Sequence, residues 1–300
     1  MKKEFSGSIT NHLYLICSVL LFTIDAHGQS LSFEEQLLNT TVQILHIKGD
    51  STFTGTGFVY SVGEGDKSVE LLVTNKHVVD RADTTIIRVN TVDSRGNYYG
   101  NVEEVYFTGF KDLWSYHPSS NVDLCAMPWS IIKNVISSRQ KELFYRSIPS
   151  SLVPPDSIWN SLTILEDITM IGYPKGLVDS YNNTAIARVG VTATQPKLDF
   201  ENQPYFLIDI AAYGGSSGSP VLLRQLETYY RRTDNIISSE LRYNYQLLGV
   251  LFAGPMVEKY VNGTVRSILV DSNDKQTFPI NIGIVVKASE LSYFESVFVE

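Results

Sequence analysis

Apolar residues recur along most of this chain in short runs or strict alternation, broken by Gly-, Pro-, Asn- and Asp-rich punctuation. That period belongs to strands rather than helices. Residues 40–47 and 55–62 read as strands, and 69–74 returns as a hairpin partner after the turn at 63–66. Further strands are expected at 84–92, 102–107, 123–129, 163–171, 185–194, 205–210, 219–223, 246–253 and 280–286. Two stretches depart from the pattern: 131–145 suits a helix, and 288–298 has the spacing of a short amphipathic one. Segments 224–245 and 255–279 are polar and irregular, and are expected as surface loops. Val153-Pro154-Pro155 marks a linker. Many short strands with a Pro-rich connector between them predict two sandwiches or barrels, and no internal repeat is visible.

The N-terminus stands outside this pattern. Lys2 and Lys3 precede an apolar run over 13–24, and small residues follow at Ala26 and Gly28. This predicts a secretory leader over 1–28. The run is short of the ~20 residues of a spanning helix, so no membrane anchor is expected after cleavage. The two cysteines are Cys17, inside the leader, and Cys125. The exported chain would have no internal disulfide and would rest on core packing. A net charge of −8 without a basic run argues against nucleic acid and anionic membrane as partners. No metal-ligand spacing occurs, and neither a metal nor a cofactor is expected.

Three segments carry candidate chemistry. Thr74-Asn75-Lys76-His77-Val78-Val79 delivers a histidine at a strand exit, Asn121-Val122-Asp123 an aspartate at a strand entry, and Gly214-Gly215-Ser216-Ser217-Gly218-Ser219-Pro220 a glycine-flanked serine. A serine hydroxyl needs a base during attack, and histidine titrates in the right range for one. A carboxylate on the far ring nitrogen fixes the imidazole. Ser217 is the expected nucleophile, His77 the general base then acid, and Asp123 the orienting group. Gly215 and Gly218 give the backbone freedom for a sharp turn. In that register the N–H groups of Gly215 and Ser217 form the oxyanion hole.

With these residues the chain resembles a trypsin-like serine protease of the chymotrypsin fold, most of all the bacterial HtrA-type branch. Thr74–Val79 resembles that branch's TN-x-HVV segment, Gly55-Thr56-Gly57-Phe58 its G-S-G-F strand, and Ile171-Gly172-Tyr173-Pro174-Lys175-Gly176 its IG-x-P-x-G segment. The resemblance implies an all-β fold of two six-stranded antiparallel β-barrels, the active site between them, and a short C-terminal helix. The domains then read as an N-terminal barrel over 29–130 with His77 and Asp123, a connector over 131–160, and a C-terminal barrel over 161–300 with Ser217 and the terminal helix. An appended PDZ domain, usual in that branch, is not expected. Ser216 stands where trypsins place an aspartate that pairs with a freshly cut amine, so that mode of activation is not expected. Ser219 replaces a glycine and restricts the turn's backbone.

By the same register Ala211 forms the floor of the substrate pocket, with Tyr213, Phe252, Ala253, Gly254 and Gly283 as walls. Without an acid at the floor, a small or medium apolar residue is expected before the cleaved bond. Cys125 is expected in the core. The resemblance thus implies an exported serine endopeptidase, periplasmic or secreted, acting on polypeptides. The alternative is an inactive protease fold used as a binding module. An α/β-hydrolase esterase is not expected, because Gly215-Ser216-Ser217-Gly218 lacks the last glycine of that elbow and no histidine follows Ser217.

Overall fold

Strand alternation in the first half sends side chains to two different cores. The structure, a computed structural model, describes residues 31–63, 65–80, 83–233, 236–259, 265–268 and 277–299. The expected leader lies outside these residues. Nine strands make the first sheet: β1 (Thr41–Lys48), β2 (Ser51–Val62), β3 (Val69–Thr74), β4 (Thr84–Val92), β5 (Val102–Thr108), β6 (Ser115–Tyr116), β7 (Cys125–Pro128), β8 (Glu142–Phe144) and β9 (Ile148–Pro149). Their order is β5-β4-β1-β2-β3-β7-β6, with β8 added to β4 and β9 to β2. Val59, Leu72 and Met127 point into the core of this unit, with Ile44, Ile87 and Trp129. Their chain neighbours Phe58, Tyr60, Leu71, Val73 and Ala126 point the opposite way, as period two requires. They meet Leu247, Val250, Val286, Leu291 and Phe294 from the second half. The junction between the halves is therefore a hydrophobic core in its own right.

The second half closes into a six-stranded barrel. Its strands are β10 (Asp167–Gly172), β11 (Ile186–Thr192), β12 (Tyr205–Asp209), β13 (Pro220–Thr233), β14 (Ile236–Ala253) and, past a small three-stranded sheet of β15 (Met256–Lys259), β16 (Val265–Ile268) and β17 (Thr277–Pro279), β18 (Ile282–Lys287). The ring runs β10-β11-β12-β18-β14-β13. Ile168, Met170, Phe206, Ile208, Val221, Leu251 and Val285 fill it. Helix Ser292–Phe298 ends the described chain and seals the junction through Phe294.

The mostly-β, chymotrypsin-like class is the one expected, with four differences of detail. The first unit has nine strands in place of six, and its ladder leaves β5 and β6 unpaired with each other. The expected connector over 131–160 is mostly part of that unit. Ile132 and Ile136 on helix Ser130–Ser138 join its core, and β8 and β9 pair with its strands, so the connecting chain begins only after Pro149. Segment 224–245 is not irregular: β13 and β14 extend together as a two-stranded ribbon, with Leu226 opposite Tyr243 and Thr228 opposite Leu241. Polar residues at alternate positions disguised it, since a ribbon with two exposed faces lacks a buried alternation. Of the expected loop over 255–279, part forms β15 to β17 and the rest lies outside the described residues.

Candidate active site

Three consecutive residues tie the histidine corner together. Helix Lys76–Val79 follows β3 directly and is anchored by buried Val78 and Val79. Asn75 leaves the helix N-terminus uncapped by its side chain; its Nδ2 instead donates to the Asp123 carbonyl (2.7 Å). Lys76 Nζ donates to the Ser119 carbonyl (2.8 Å). His77 donates its backbone N–H to Asp123 Oδ1 (3.2 Å), and its Nδ1 is hydrogen-bonded to Asp123 Oδ2. A carboxylate at Nδ1 puts the ring proton there and leaves Nε2 as the basic nitrogen. Tyr205 approaches from the C-terminal barrel, its ring packed on Phe252 with centroids 4.8 Å apart. Burial raises the Tyr205 phenol, and the charges of Asp123 and Glu290 add to the effect.

The serine turn is held by backbone. Gly215 and Gly218 both take left-handed angles, φ 87° and 88°. A Cβ at Gly218 would overlap the Thr56 carbonyl oxygen. Thr56 N–H donates to the Ser217 carbonyl (2.8 Å), Thr56 Oγ1 to the Gly215 carbonyl (2.9 Å), and Thr74 Oγ1 to the Thr56 carbonyl (2.6 Å). Strands β2 and β3, which lead to His77, thus support the serine turn from beneath. Ser219 is not in the left-handed region, so glycine is not required there. Its side chain fits because Gly172 opposite has none. The restriction expected from Ser219 does not arise.

The hydrogen-bond inventory of the turn is selective. The N–H of Ser216 goes to the Tyr213 carbonyl (3.0 Å), that of Gly218 to Leu251 (2.8 Å) and that of Ser219 to Ser216 (3.0 Å). Among the described residues, those of Gly215 and Ser217 have no internal acceptor. The Gly214 carbonyl accepts from Lys175 N–H (2.6 Å). In a planar trans peptide this aims the Gly215 N–H the opposite way. The Ser217 hydroxyl donates to the Phe252 carbonyl (3.3 Å), and among the described residues no hydrogen bond joins it to His77.

The expected pocket residues divide. Ala211 and Tyr213 lie at the start of the turn, with Lys175 Nζ 5.2 Å from the centre of the Tyr213 ring. Phe252 and Ala253 are half-buried at the end of β14. Gly254 lies against Ala212: a Cβ on it would sit 3.2 Å from the Ala212 carbonyl oxygen, leaving little room between them. Gly283 does not serve as a wall, because its open side faces Leu251 and Ile208 in the barrel core (2.7 and 2.9 Å from a built Cβ). Cys125 is buried among the first unit's core residues; burial pushes its thiol well up, with Asp123 adding. Among the described residues no group of three His, Cys, Asp or Glu is placed to hold a metal ion, and no helix is long and apolar enough to cross a membrane.

Several participants escape a reading of the sequence. Arg188 on β11 donates through Nη1 to the Ala211 carbonyl and through Nη2 to Ser216 Oγ (2.9 Å). Burial pulls its guanidinium down to about 10, with Tyr213 acting in the other direction. Nothing local distinguishes this arginine from a surface strand residue. Asn75 was within reach of sequence reasoning, since it adjoins the histidine, but its target is not.

The family profile of the trypsin-like peptidase domain matches residues 55–227. Curated proteins give no match. Among solved structures, an HtrA-type protease with a tripeptide is similar at 13% identity and TM-score 0.46, over 88% of this chain and 62% of that one. A serine endoprotease from Yersinia pestis is similar at 14% identity and TM-score 0.42, over 91% and 68%. Tobacco etch virus protease complexed with product is similar at 12% identity and TM-score 0.41, over 85% and 86%. The profile match holds His77, Asp123 and Ser217 and spans more than half of the sequence: the chain belongs to the trypsin-like peptidase domain family.

Proposed function

We propose that the chain is an exported serine endopeptidase that works through His77, Asp123 and Ser217. The observation that carries this reading is the double hold of His77 on the Asp123 carboxylate, set beside a turn with two unengaged N–H groups. For attack, Ser217 Oγ must leave the Phe252 carbonyl and hydrogen-bond to His77 Nε2. Oγ then attacks the substrate carbonyl carbon as Nε2 accepts its proton, and the oxyanion settles on the Gly215 and Ser217 N–H groups. Nε2 passes the proton to the departing amine, leaving an acyl-enzyme. Water, deprotonated by the same nitrogen, releases the acid. With Ala211 in place of an acid at the expected pocket floor, a small or medium apolar residue before the cleaved bond fits best.

The test is cleavage of a diverse peptide library by the purified protein lacking 1–28, beside Ser217→Ala. Cleavage after Ala, Val or similar residues that is lost in the variant is the expected result. An uncleaved library would favour the second reading, an inactive protease fold used for binding. That reading draws on one observation, the Ser217 hydroxyl resting on Phe252 and not on His77.

A further inference from the structure

We propose that Arg188 is a positioning residue that clamps the oxyanion-binding turn. The inference rests on the reading of Gly215 and Ser217 as oxyanion donors. One guanidinium grips both ends of the segment: Nη1 the Ala211 carbonyl, Nη2 the Ser216 hydroxyl (2.9 Å). Between these anchors lie Gly214 and Gly215, whose peptide must keep one orientation for the Gly215 N–H to face substrate. Glycine pairs resist reorientation weakly. Thr56 Oγ1 and Lys175 N–H hold the carbonyls of Gly215 and Gly214, and Arg188 holds Ala211 and Ser216 on either side of them in the chain. A planar fork with two bonded arms sets the separation of its two acceptors in a way that a lysine ammonium does not.

The charge state of this clamp is informative. Among the described residues no carboxylate pairs with Arg188, and its Nε is buried without a partner. A guanidinium kept only for packing would gain by a carboxylate partner or by replacement with an apolar side chain. Here both acceptors are neutral groups of the turn. The guanidinium is one hydrogen bond from the side chain of Ser216, the residue between Gly215 and Ser217 in the chain. The clamp belongs to a barrel strand, so it is present as soon as the chain folds.

The experiment compares wild type, Arg188→Ala, Arg188→Lys and Ser216→Ala on a peptide that the wild type cleaves, with and without dilute guanidinium chloride. We expect Arg188→Ala to lower kcat by about 10²-fold, the scale of losing one oxyanion donor, with KM nearly unchanged and partial recovery in guanidinium. Arg188→Lys should recover little, and Ser216→Ala should lose roughly tenfold, since it removes one of the two grips. Unchanged kcat in a folded Arg188→Ala would overturn the proposal, as would a rise in KM alone, which would make Arg188 a substrate contact. If Arg188→Ala does not fold, the kcat of Ser216→Ala and Arg188→Lys decides by the same criteria. Wild type that cleaves no peptide would sink the peptidase reading and this inference with it, whereas active wild type with an indifferent Arg188 sinks the inference alone.

Discussion

The histidine corner follows β3 in the first unit and the serine turn precedes β13 in the second, and they are built from different kinds of contact. Side chains build the first: Asn75, Lys76 and His77 each reach the 119–123 segment. Backbone builds the second: two left-handed glycines and a set of assigned N–H and carbonyl groups shape it, and distant Thr56 and Arg188 steady it. The corner therefore depends on which residues are present. The turn depends on which side chains are missing and on what the rest of the fold brings near. Replacing a side chain should injure the corner locally, while adding one should injure the turn as a whole.

The sharpest way to break the comparison is to remove one reacting group from each side. Ser217→Ala should cut peptide hydrolysis on the order of 10⁶-fold and leave the melting temperature in place. Asp123→Asn should lose about 10⁴-fold, because it offers an N–H where Nδ1 needs an acceptor and so favours the wrong tautomer. Steady-state rates on a common peptide give both numbers. Gly218→Ala tests the turn by addition: overlap with Thr56 and a left-handed angle should together destabilise the fold by roughly 3 kcal/mol or more, read from denaturant unfolding.

A smaller effect comes from acid. His46 is held near 4, below its usual 6.5, first by burial and then by the charge of nearby His77. The folded value lies below the unfolded one, so its contribution to stability is intact above pH 6.5 and fades as the pH falls towards 4. On the order of 1–3 kcal/mol is at stake, and His46→Gln should flatten that part of the stability–pH curve. Least affected should be Lys76→Ala, whose exposed bond to the Ser119 carbonyl is worth about 0.5 kcal/mol or less; urea midpoints should barely move.

Legibility in the sequence followed the same division. His77, Asp123 and Ser217 stood out because their chemistry lies in residue type and local spacing. Most strands were readable because burial on one or both faces leaves a period-two or continuous apolar trace. The ribbon over 224–245 was not, since both of its faces meet solvent and its pairing shows only in cross-strand partners such as Leu226 and Tyr243. Residues 131–149 read as a connector because β8 and β9 are only three and two residues long, and their partners lie far away in the chain. Gly283 was assigned to the pocket by register alone, and strand alternation turned it to the core. Arg188 acts at long range and no local pattern marks it, while Thr56 lies in a recognisable motif whose sequence does not reveal its bonds to Gly215 and Ser217.

The most direct test is chemical. Purified protein lacking 1–28 should be treated with a fluorophosphonate probe and the adduct mapped by peptide mass, beside Ser217→Ala and His77→Ala. The account predicts one adduct, on Ser217, absent from the first variant and nearly absent from the second, since His77 is what activates the hydroxyl. A well-folded wild type that stays unlabelled, or labelling that persists in His77→Ala, would contradict it.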